Sequence, residues 1–296
     1  MTIYDHVLTE NDFVHQNDLR YPFEERGLQF GDGIYEVIRV YGGSYYLIDE
    51  HVERLYRSAE AVKIEVPYKK EQMYDQLDEL LNKNKITGDA KVYLQITRGS
   101  APRDHAFPTN TDANLYAYVK DLPRATDKML EGVETITQHD VRWDWCYIKS
   151  LNLLPNVLAK QAAAEKGCYE AVLHKDGEVT ECSSSNVYLV KDEKVYTHPA
   201  KKNILHGCVR IRIEEFCKQE GIPFIEESFC LEDFQYADEV FLTSSTSEVM
   251  PILKVDELTI GEGKPGGITR KLQELYEEDA GIPADQSIFK RNLKAQ

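Results

Sequence analysis

The sequence predicts a two-domain protein of mixed α and β structure, and three observations support this fold class. The chain has 296 residues, which suffices for two domains of about 100 to 200 residues each. Strand-like alternation and helix-like apolar periodicity occur in both halves. The tetrapeptide Asp121-Leu122-Pro123-Arg124 separates the two sets of elements. We therefore expect a small N-terminal αβ domain over 1–122 and a larger C-terminal domain over 123–296.

A β-hairpin is the first clear element of the N-terminal half. Its strands are expected over 34–40 and 44–47, joined by the turn Gly42-Gly43. Because side chains alternate between the two faces of a strand, Tyr35 and Val37 share one face, and Glu36 lies on the other among isoleucine and valine. One face should therefore meet the core, while the other lines a pocket.

Helices and strands follow in alternation. An amphipathic helix is expected after the hairpin, with Asp49 as its N-cap and Arg54 beside its apolar stripe. The further N-terminal elements are a helix over 71–83, strands over 92–96 and 115–119, and a polar loop over 100–112. In the C-terminal half, helices over 154–166, 207–220 and 268–277 alternate with strands, and Asp176-Gly177 marks a hairpin turn.

Composition argues against several classes of function. The net charge of -16, without a dense Lys/Arg stripe, would repel nucleic acid. No apolar run approaches the roughly 20 residues that span a bilayer, and Asp5 and Glu10 occupy a region that would be basic and then apolar in a signal peptide. The six cysteines form no C-x-x-C pair, so free thiols are expected. The sequence predicts a cytoplasmic protein with no nucleic-acid, membrane or metal partner.

Lys149 is a candidate reactive group in an aromatic-rich, strand-like run over 144–152. A solvent-facing lysine is the plainer interpretation. A lysine in apolar surroundings loses its proton more readily, however, and only the neutral amine attacks an aldehyde to form a Schiff base. Local context leaves both interpretations open.

Polar clusters also interrupt the apolar pattern. Glu181 and the three serines that follow Cys182 need polar partners if they are buried, and otherwise form a solvated turn. The stretches 243–248 and 204–210 offer hydroxyls and backbone N-H groups at a strand end and a helix start, which suits an anion such as phosphate. Taken alone, each is equally compatible with an ordinary turn. Arg54 is likewise compatible with a surface ion pair to Glu50 or Glu53.

As a set, these segments resemble the fold-type IV, or class IV, family of pyridoxal-phosphate-dependent aminotransferases, and within it the bacterial D-amino-acid aminotransferases. The resembling stretches are RGLQFGDGIYEV at 26–37, EHVERLY at 50–56, IKSLN at 148–152, EAVL at 170–173 and ECSSSN at 181–186. They run nearly from end to end. The resemblance implies a small N-terminal αβ sandwich and a larger C-terminal αβ pseudo-barrel.

The resemblance also implies a set of residues for the cofactor, pyridoxal 5'-phosphate. Lys149 would hold it as a Schiff base and move the proton at the substrate Cα. Glu181 would pair with the pyridine nitrogen and keep it protonated, which maintains the ring as an electron sink. The phosphate would be bound by Arg54, by the helix start at Cys208 and Val209, and by Ser244 and Ser245, while Leu205 packs against the ring.

For the substrate, the resemblance implies a carboxylate trap of Tyr35, Arg103 and His105. The arginine and histidine reach in from the neighbouring subunit in that group, which implies a homodimer. Val37, Ser183, Ser184 and Ser185 would line the pocket. The expected reaction is transamination between a D-amino acid, of D-alanine or D-glutamate type, and a 2-oxo acid such as 2-oxoglutarate or pyruvate.

Other functions remain as alternatives. A branched-chain L-amino-acid aminotransferase and an aminodeoxychorismate lyase share this fold, and the Arg103-x-His105 pattern argues against both. A cofactor carrier without turnover is disfavoured by the substrate trap. The sequence departs from its relatives at Val209, where they have threonine, and at Cys182, where they have glycine. Loss of one hydroxyl at Val209 predicts somewhat looser cofactor binding.

Overall fold

The computed structural model describes residues 2–289, which form two compact units. The first comprises Met1–Pro123 and Ile148–Asn152, and the second comprises Arg124–Tyr147 and Leu153–Gln296. Both contain helices and sheet, so the mixed αβ fold class is confirmed. The single sequence-based boundary did not anticipate the short segment that joins the first unit. Met1 and residues 290–296, which are the outer ends of the two predicted domains, lie outside the described residues.

An antiparallel sheet of six strands forms the centre of the first unit, in the order β2-β1-β6-β5-β3-β4. Its strands are β1 (His6–Thr9), β2 (Phe13–His15), β3 (Gly33–Tyr41), β4 (Ser44–Tyr46), β5 (Ala90–Thr97) and β6 (Asn114–Asp121). The helices are α1 (Arg26–Phe30), α2 (Ile48–Ala61) and α3 (Lys70–Lys83). Apolar side chains of α2, α3 and the sheet form one core cluster.

The faces of β3 agree with the sequence prediction. Ile34, Ile38 and Val40 are fully buried in the core, and Glu36 is buried with them at 1% exposure. Tyr35 and Val37 are only partly buried. Strand alternation therefore separates a core face from a more open face that carries the two predicted pocket residues.

Two details of the sequence prediction are wrong, the start of one helix and the presence of one strand. Helix α2 begins at Ile48 with Leu47 as its N-cap, and Asp49 lies in its first turn. Leu47 adopts a left-handed conformation, with φ of 57°, because the chain turns directly from β4 into the helix. The strand-like interpretation of the run around Lys149 is also wrong, since no strand forms there and only an isolated bridge joins Ser150 to Ile34.

A free strand edge explains where the Lys149 segment packs. Strand β4 pairs only with Arg39–Tyr41 of β3, which leaves the beginning of β3 open on that side. The Tyr35 N-H donates to the Lys149 carbonyl at 3.0 Å, and the Leu151 N-H donates to the Gly33 carbonyl at 3.0 Å. Backbone hydrogen bonds to β3 thus fix the lysine segment in the first unit, although in sequence the segment follows the first strand of the second unit.

The second unit is built on a mixed sheet in the order β12-β11-β10-β13-β14-β7-β8-β9, with β15 paired to β14. The strands are β7 (Val133–His139), β8 (Glu170–Lys175), β9 (Glu178–Cys182), β10 (Asn186–Lys191), β11 (Lys194–Thr197), β12 (Phe224–Glu226), β13 (Glu239–Ser244), β14 (Glu248–Val255) and β15 (Leu258–Thr259). The parallel pairs are β11 with β12, β14 with β7 and β7 with β8. The predicted turn at Asp176-Gly177 joins β8 and β9.

Four α-helices and one 3-10 helix accompany this sheet in the described residues. Its helices are α4 (Thr126–Glu131), α5 (Leu154–Glu165), α6 (Cys208–Glu220) and α7 (Gly267–Asp279), with a 3-10 helix over Leu231–Tyr236. The three longer α-helices match the sequence prediction to within two residues at each end. Pro155 occupies the first turn of α5, where its missing N-H costs nothing. Among residues 2–289, no helix is long and apolar enough to cross a membrane.

Candidate active site

The predicted site residues fall in both units, and the arrangement within each unit is described separately. Those in the first unit are Tyr35, Val37, Arg54, Arg103, His105 and Lys149. Those in the second unit are Glu181, Ser183, Ser184, Ser185, Leu205, Cys208, Val209, Ser244 and Ser245.

Lys149 is held on the open face of the first unit's sheet. Its N-H donates to the buried Ser58 hydroxyl at 3.2 Å, and its carbonyl accepts from Tyr35. The Lys149 Nζ lies 4.2 Å from the centre of the Tyr35 ring. The backbone on both sides of the lysine is therefore fixed, and its amine lies beside a predicted substrate residue.

Arg54 is buried rather than on the surface, which excludes the interpretation as a surface pair with Glu50 or Glu53. Its guanidinium donates to Glu36 in bidentate fashion, with Nε to Oε1 at 2.7 Å and Nη2 to Oε2 at 2.8 Å. The His51 Nδ1 lies 2.7 Å from the same carboxylate. Burial alone would raise the pKa of Glu36, but Arg54 and His51 hold it well below its usual range. The orientation of Arg54 is therefore fixed by an ionised carboxylate.

Arg103 and His105 lie on the predicted polar loop and are exposed. The Arg103 guanidinium lies 4.8 Å from the centre of the Phe30 ring, and the His105 ring lies 5.5 Å from it. Phe30 ends α1, so one aromatic ring supports both predicted trap residues. Cation-π contact of this kind favours an ordered arginine over a mobile one.

Two buried arginines anchor the base of the same loop. Arg26 donates to the Asp104 carbonyl at 2.7 Å and to Asp32 at 2.8 Å. Arg98 makes a bidentate pair with Asp32 at 2.9 Å on both bonds, and its guanidinium lies 3.6 Å from the centre of the Phe107 ring. These contacts tie α1, the end of β5 and the loop together, so the trap residues project from a braced segment.

In the second unit, Glu181 is a buried carboxylate, 5% exposed, near the end of β9. It accepts hydrogen bonds from the Arg142 guanidinium, from Asn186 Nδ2 at 3.1 Å and from the Leu205 N-H, which lies 3.2 Å from both oxygens. Burial raises the pKa of Glu181, while Arg142 and the Leu205 N-H oppose that rise. Glu181 is therefore a buried, hydrogen-bonded group and not part of a solvated turn.

Sequence reasoning missed Asp140 and Arg142, which lie behind Glu181 in the segment after β7. Arg142 pairs with Asp140 through Nε to Oδ1 at 3.0 Å and Nη2 to Oδ2 at 2.8 Å. Two buried carboxyl groups thus share one guanidinium, so the three residues carry a formal net negative charge when both carboxyl groups are ionised. The only available signal was a charged pair at Asp140-x-Arg142 next to an apolar strand.

Buried polar atoms that have no hydrogen-bond partner in the described part of the chain lie in two of the serines that follow Glu181 and in Glu170 of β8. Within the described residues, the buried Ser183 and Ser185 hydroxyls have no hydrogen-bond partner, nor does Glu170 Oε2. Ser184 is exposed and donates to Glu170 Oε1. Because buried hydroxyls usually find partners, the loop between β9 and β10 is suited to a polar ligand.

The start of α6 is the candidate anion site. Its N-cap is Gly207, which has no side chain to cap the helix, and Cys208 and Val209 are the first two helical residues. A Cβ on Gly207 would lie 2.3 Å from Asn186 Oδ1, so glycine is required for this close approach. The helix start is therefore packed directly on a residue that binds Glu181.

A turn rich in hydroxyls follows β13. Ser244 ends that strand, and its Oγ accepts the Ser247 N-H at 3.1 Å. Ser244 and Ser245 are partly exposed. Hydroxyls in such a turn can bind an anion. The second unit thus provides a buried acceptor for a cation at Glu181, and donors for an anion at two other positions.

Several known proteins are similar to this chain in sequence. A family model described as Amino-transferase class IV matches residues 33–255. Among curated proteins, the chain is similar to the D-alanine aminotransferase of Listeria monocytogenes serovar 1/2a, with 42% identity over 96% of this chain and 99% of that protein. It is also similar to the D-alanine aminotransferase of Staphylococcus haemolyticus, with 44% identity over 91% of this chain and 96% of that protein.

Solved structures show the same fold. The chain resembles the branched-chain amino acid aminotransferase of Escherichia coli, with a TM-score of 0.87 and 22% identity over 96% of both chains. It also resembles the PLP-form of the branched-chain amino acid aminotransferase of Thermobaculum terrenum, with a TM-score of 0.85 and 19% identity over 97% of both chains. At this level of identity, the likeness establishes the fold alone.

Proposed function

This chain belongs to the class IV aminotransferase family, and from that membership we propose that it is a pyridoxal-phosphate-dependent D-amino-acid transaminase. It would move the amino group of a D-amino acid, of D-alanine or D-glutamate type, to a 2-oxo acid such as 2-oxoglutarate or pyruvate. The observation that carries the proposal is identity of 42 to 44% with D-alanine aminotransferases over more than nine-tenths of the chain.

The residues present fit the cofactor. Glu181 is a buried carboxylate that shares one guanidinium with Asp140, and an ionised carboxylate there suits a protonated ring nitrogen. The uncapped start of α6 and the Ser244-Ser245 turn suit a phosphate, and Arg54 adds a fixed cation for the same group. Leu205, whose N-H binds Glu181, would pack against the ring. When bound, the cofactor supplies an electron sink for the substrate Cα.

Lys149 is the proposed catalytic residue. Its amine would hold the cofactor and would also move a proton at the substrate Cα. The hydrogen bonds that fix the Lys149 backbone on β3 support this role, because they hold the base of the side chain at one position. The neighbouring Tyr35 ring shields one side of the amine.

We propose that Tyr35, Arg103 and His105 bind the substrate α-carboxylate. A fixed cation, a hydroxyl and an imidazole suit a planar carboxylate, and the side on which it is held decides which Cα hydrogen faces the lysine. Val37 and the serines Ser183 to Ser185 would line the side-chain pocket. The two unpaired buried serine hydroxyls support a pocket that accepts polar side chains.

The smallest active form would be a homodimer in which Arg103 and His105 serve the partner's site. Both side chains are exposed in the single chain, although the loop that carries them is braced. Leu154, Val157 and Leu158 form an exposed apolar face on α5, at 57 to 69% exposure. Such a face is typical of a subunit interface.

The six free cysteines support the proposed cytoplasmic location, where disulfides are rare.

Substrate specificity is tested by mixing the purified protein with 2-oxoglutarate and either D-alanine or L-leucine. We expect pyruvate and D-glutamate from D-alanine, with ping-pong kinetics, and no product from L-leucine. Activity with L-leucine alone would assign the chain to the branched-chain enzymes instead.

The role of Lys149 is tested with the variant Lys149→Ala. We expect loss of the visible absorbance of the covalently held cofactor and of transamination. Lys70→Ala is the matched control, since Lys70 contacts Glu53 and the Tyr56 ring and is not a predicted site residue. Retention of both signals by Lys149→Ala would refute the assigned mechanism.

A further inference from the structure

The pair Asp140 and Arg142 has no role in the proposed reaction so far, although it is buried directly against Glu181. The Arg142 side chain is 6% exposed and that of Asp140 is 2% exposed. Burial of charged groups is costly unless they are paired and hydrogen-bonded. The free-energy cost of burying this pair is therefore expected to be offset by a function, and the contacts of the pair indicate that function.

Its geometry orients one particular group. Asp140 fixes the plane of the guanidinium by two hydrogen bonds, and it also accepts the Arg142 N-H at 3.0 Å. The remaining terminal nitrogen of Arg142, Nη1, donates to Glu181 Oε1. Planar bidentate pairing leaves the guanidinium little freedom to rotate. The position of Glu181 Oε1 is thereby tied to that of Asp140.

A second connection comes through the strand that carries Glu181. Thr180 directly precedes it on β9, and the Thr180 hydroxyl donates to Asp140 Oδ2 at 2.7 Å. Burial would raise the pKa of Asp140, but its bonds to Arg142 and Thr180 lower it, so Asp140 is ionised at neutral pH. Asp140 is thus linked to Glu181 both through Arg142 and through the backbone of β9.

We propose that Asp140 and Arg142 are positioning residues that hold the Glu181 carboxylate in one orientation and stabilise its ionised form for the cofactor's ring nitrogen. This inference rests on the proposed function. A neutral or rotated Glu181 would not pair with a protonated nitrogen, so the pair governs cofactor affinity without touching the cofactor itself.

The electrostatic surroundings support a direct effect of Arg142. Asp140, Arg142, Cys146, Cys182 and Tyr188 are titratable groups that interact with Glu181. Burial raises the pKa of both thiols and of the phenol, so these three groups are neutral near pH 7. Arg142 is then the only cation within this set, and without it the effect of burial would be opposed chiefly by hydrogen bonds such as that from the Leu205 N-H.

The test measures binding of pyridoxal phosphate to the apo protein for the wild type, Arg142→Lys, Arg142→Met and Asp140→Asn. Removal of a partner behind a metal ligand typically costs about 10- to 100-fold in affinity, and we expect the dissociation constant to rise by about 10-fold or more in each variant. Asp140→Asn combined with Arg142→Lys should cost less than the product of the single effects, because both act through one contact.

Two further readouts separate positioning from general damage. As the pH is lowered, cofactor binding should weaken, and in Arg142→Met this loss should begin at a higher pH than in the wild type, because Glu181 protonates more easily without the guanidinium. Arg142→Lys should shift the pH of this loss by a smaller amount. With a cofactor analogue whose ring nitrogen is replaced by C-H, the variants should bind as the wild type does, since no pairing with Glu181 remains to be lost.

Arg270→Met is the matched control, since Arg270 is a partly buried arginine of the same unit that bonds Gln273 and two backbone carbonyls. It should lower thermal stability without changing cofactor affinity. If Arg142→Met does not fold, Arg142→Lys and Asp140→Asn decide. If Arg142→Lys and Asp140→Asn both bind pyridoxal phosphate within about twofold of the wild type while Glu181→Gln binds it more weakly, this inference is overturned and the proposed function is not. Failure of the wild type to bind pyridoxal phosphate would instead overturn the proposed function.

Discussion

At the scale of single residues, one close approach couples the candidate anion site to the buried carboxylate. Asn186 donates to Glu181 at 3.1 Å and to the Leu205 carbonyl at 2.9 Å, and the same side chain packs against Gly207. Gly207 has an ordinary extended backbone, with φ of -69° and ψ of 141°. Its requirement for glycine is therefore steric and arises from Asn186.

Gly207→Ala is expected to weaken cofactor binding. The new Cβ would displace Asn186, so Glu181 would lose a donor, and we expect a rise of about 10-fold in the dissociation constant of pyridoxal phosphate, by analogy with other supporting contacts. Gly267→Ala is the control, because a Cβ at that position meets nothing within 4 Å. Equal affinity of Gly207→Ala and wild type would show that Asn186 does not support the site.

Val209→Thr is expected to tighten cofactor binding. Val209 is the second residue of α6, and a threonine hydroxyl there would add one donor for the phosphate. A net hydrogen bond is worth about 0.5 to 1.5 kcal/mol. A cofactor titration of the apo protein measures the change, with Val209→Ala as comparison for the loss of methyl groups alone. No tightening in Val209→Thr would contradict the prediction that the missing hydroxyl loosens cofactor binding.

At the scale of elements, a buried ion pair joins β3 to α2. Glu36 lies on the core face of the strand, and Arg54 and His51 lie one turn apart on the helix. Apolar packing alone would allow the helix to slide on the sheet, whereas a bidentate pair has one best geometry. The position of Arg54 therefore depends on the register between the two elements.

Glu36→Gln should destabilise the apo protein by about 3 to 5 kcal/mol, because it leaves a buried arginine without its counter-charge. The folded pKa of Glu36 is lowered from 4.5, so its contribution is present above about pH 4.5 and is lost as the pH falls toward the folded value. Urea unfolding from pH 3 to 7 should show the difference between variant and wild type shrinking in acid.

Glu53→Gln provides the control for that measurement. Glu53 lies on the same helix but is exposed, and it pairs with Lys70 on the surface. Exposed pairs contribute about 0 to 1 kcal/mol. A loss at Glu36 as small as that at Glu53 would mean that the buried pair does not hold the helix.

At the scale of the whole molecule, exposed apolar side chains support the proposed homodimer. Phe23 and Leu28 are 85% and 80% exposed near the trap loop, in addition to the apolar face of α5. Large exposed apolar groups cost solubility unless a partner covers them. The trap residues project from the same part of the first unit, which supports their use by a second subunit.

Mixing two inactive variants tests this arrangement. Lys149→Ala and Arg103→Ala are each expected to be inactive, but refolding them together should restore activity, because a mixed dimer would contain one site with both residues intact. A mixture of Arg103→Ala and His105→Ala is the control and should stay inactive, since every loop then carries a defect. No recovery in the first mixture, with dimers present, would place Arg103 in its own subunit's site.

Most of the element pattern, the core face of β3 and the candidate site residues could be predicted from the sequence. Alternation and periodicity are local, so Ile34, Ile38 and the helix over 154–165 were predictable from neighbours in the chain. Motif resemblance supplied the candidate site residues for the same reason, since each motif is a continuous stretch.

The partners of the candidate site residues could not be predicted from the sequence and emerged from the fold. Arg54 meets Glu36 across 18 positions, and Arg142 meets Glu181 across 39. The Lys149 segment binds the open edge of β3, although more than a hundred positions separate them. Such contacts depend on strand order and burial, which no local pattern encodes. A surface arginine and a buried, paired one look alike in sequence, because only the fold removes one of them from water.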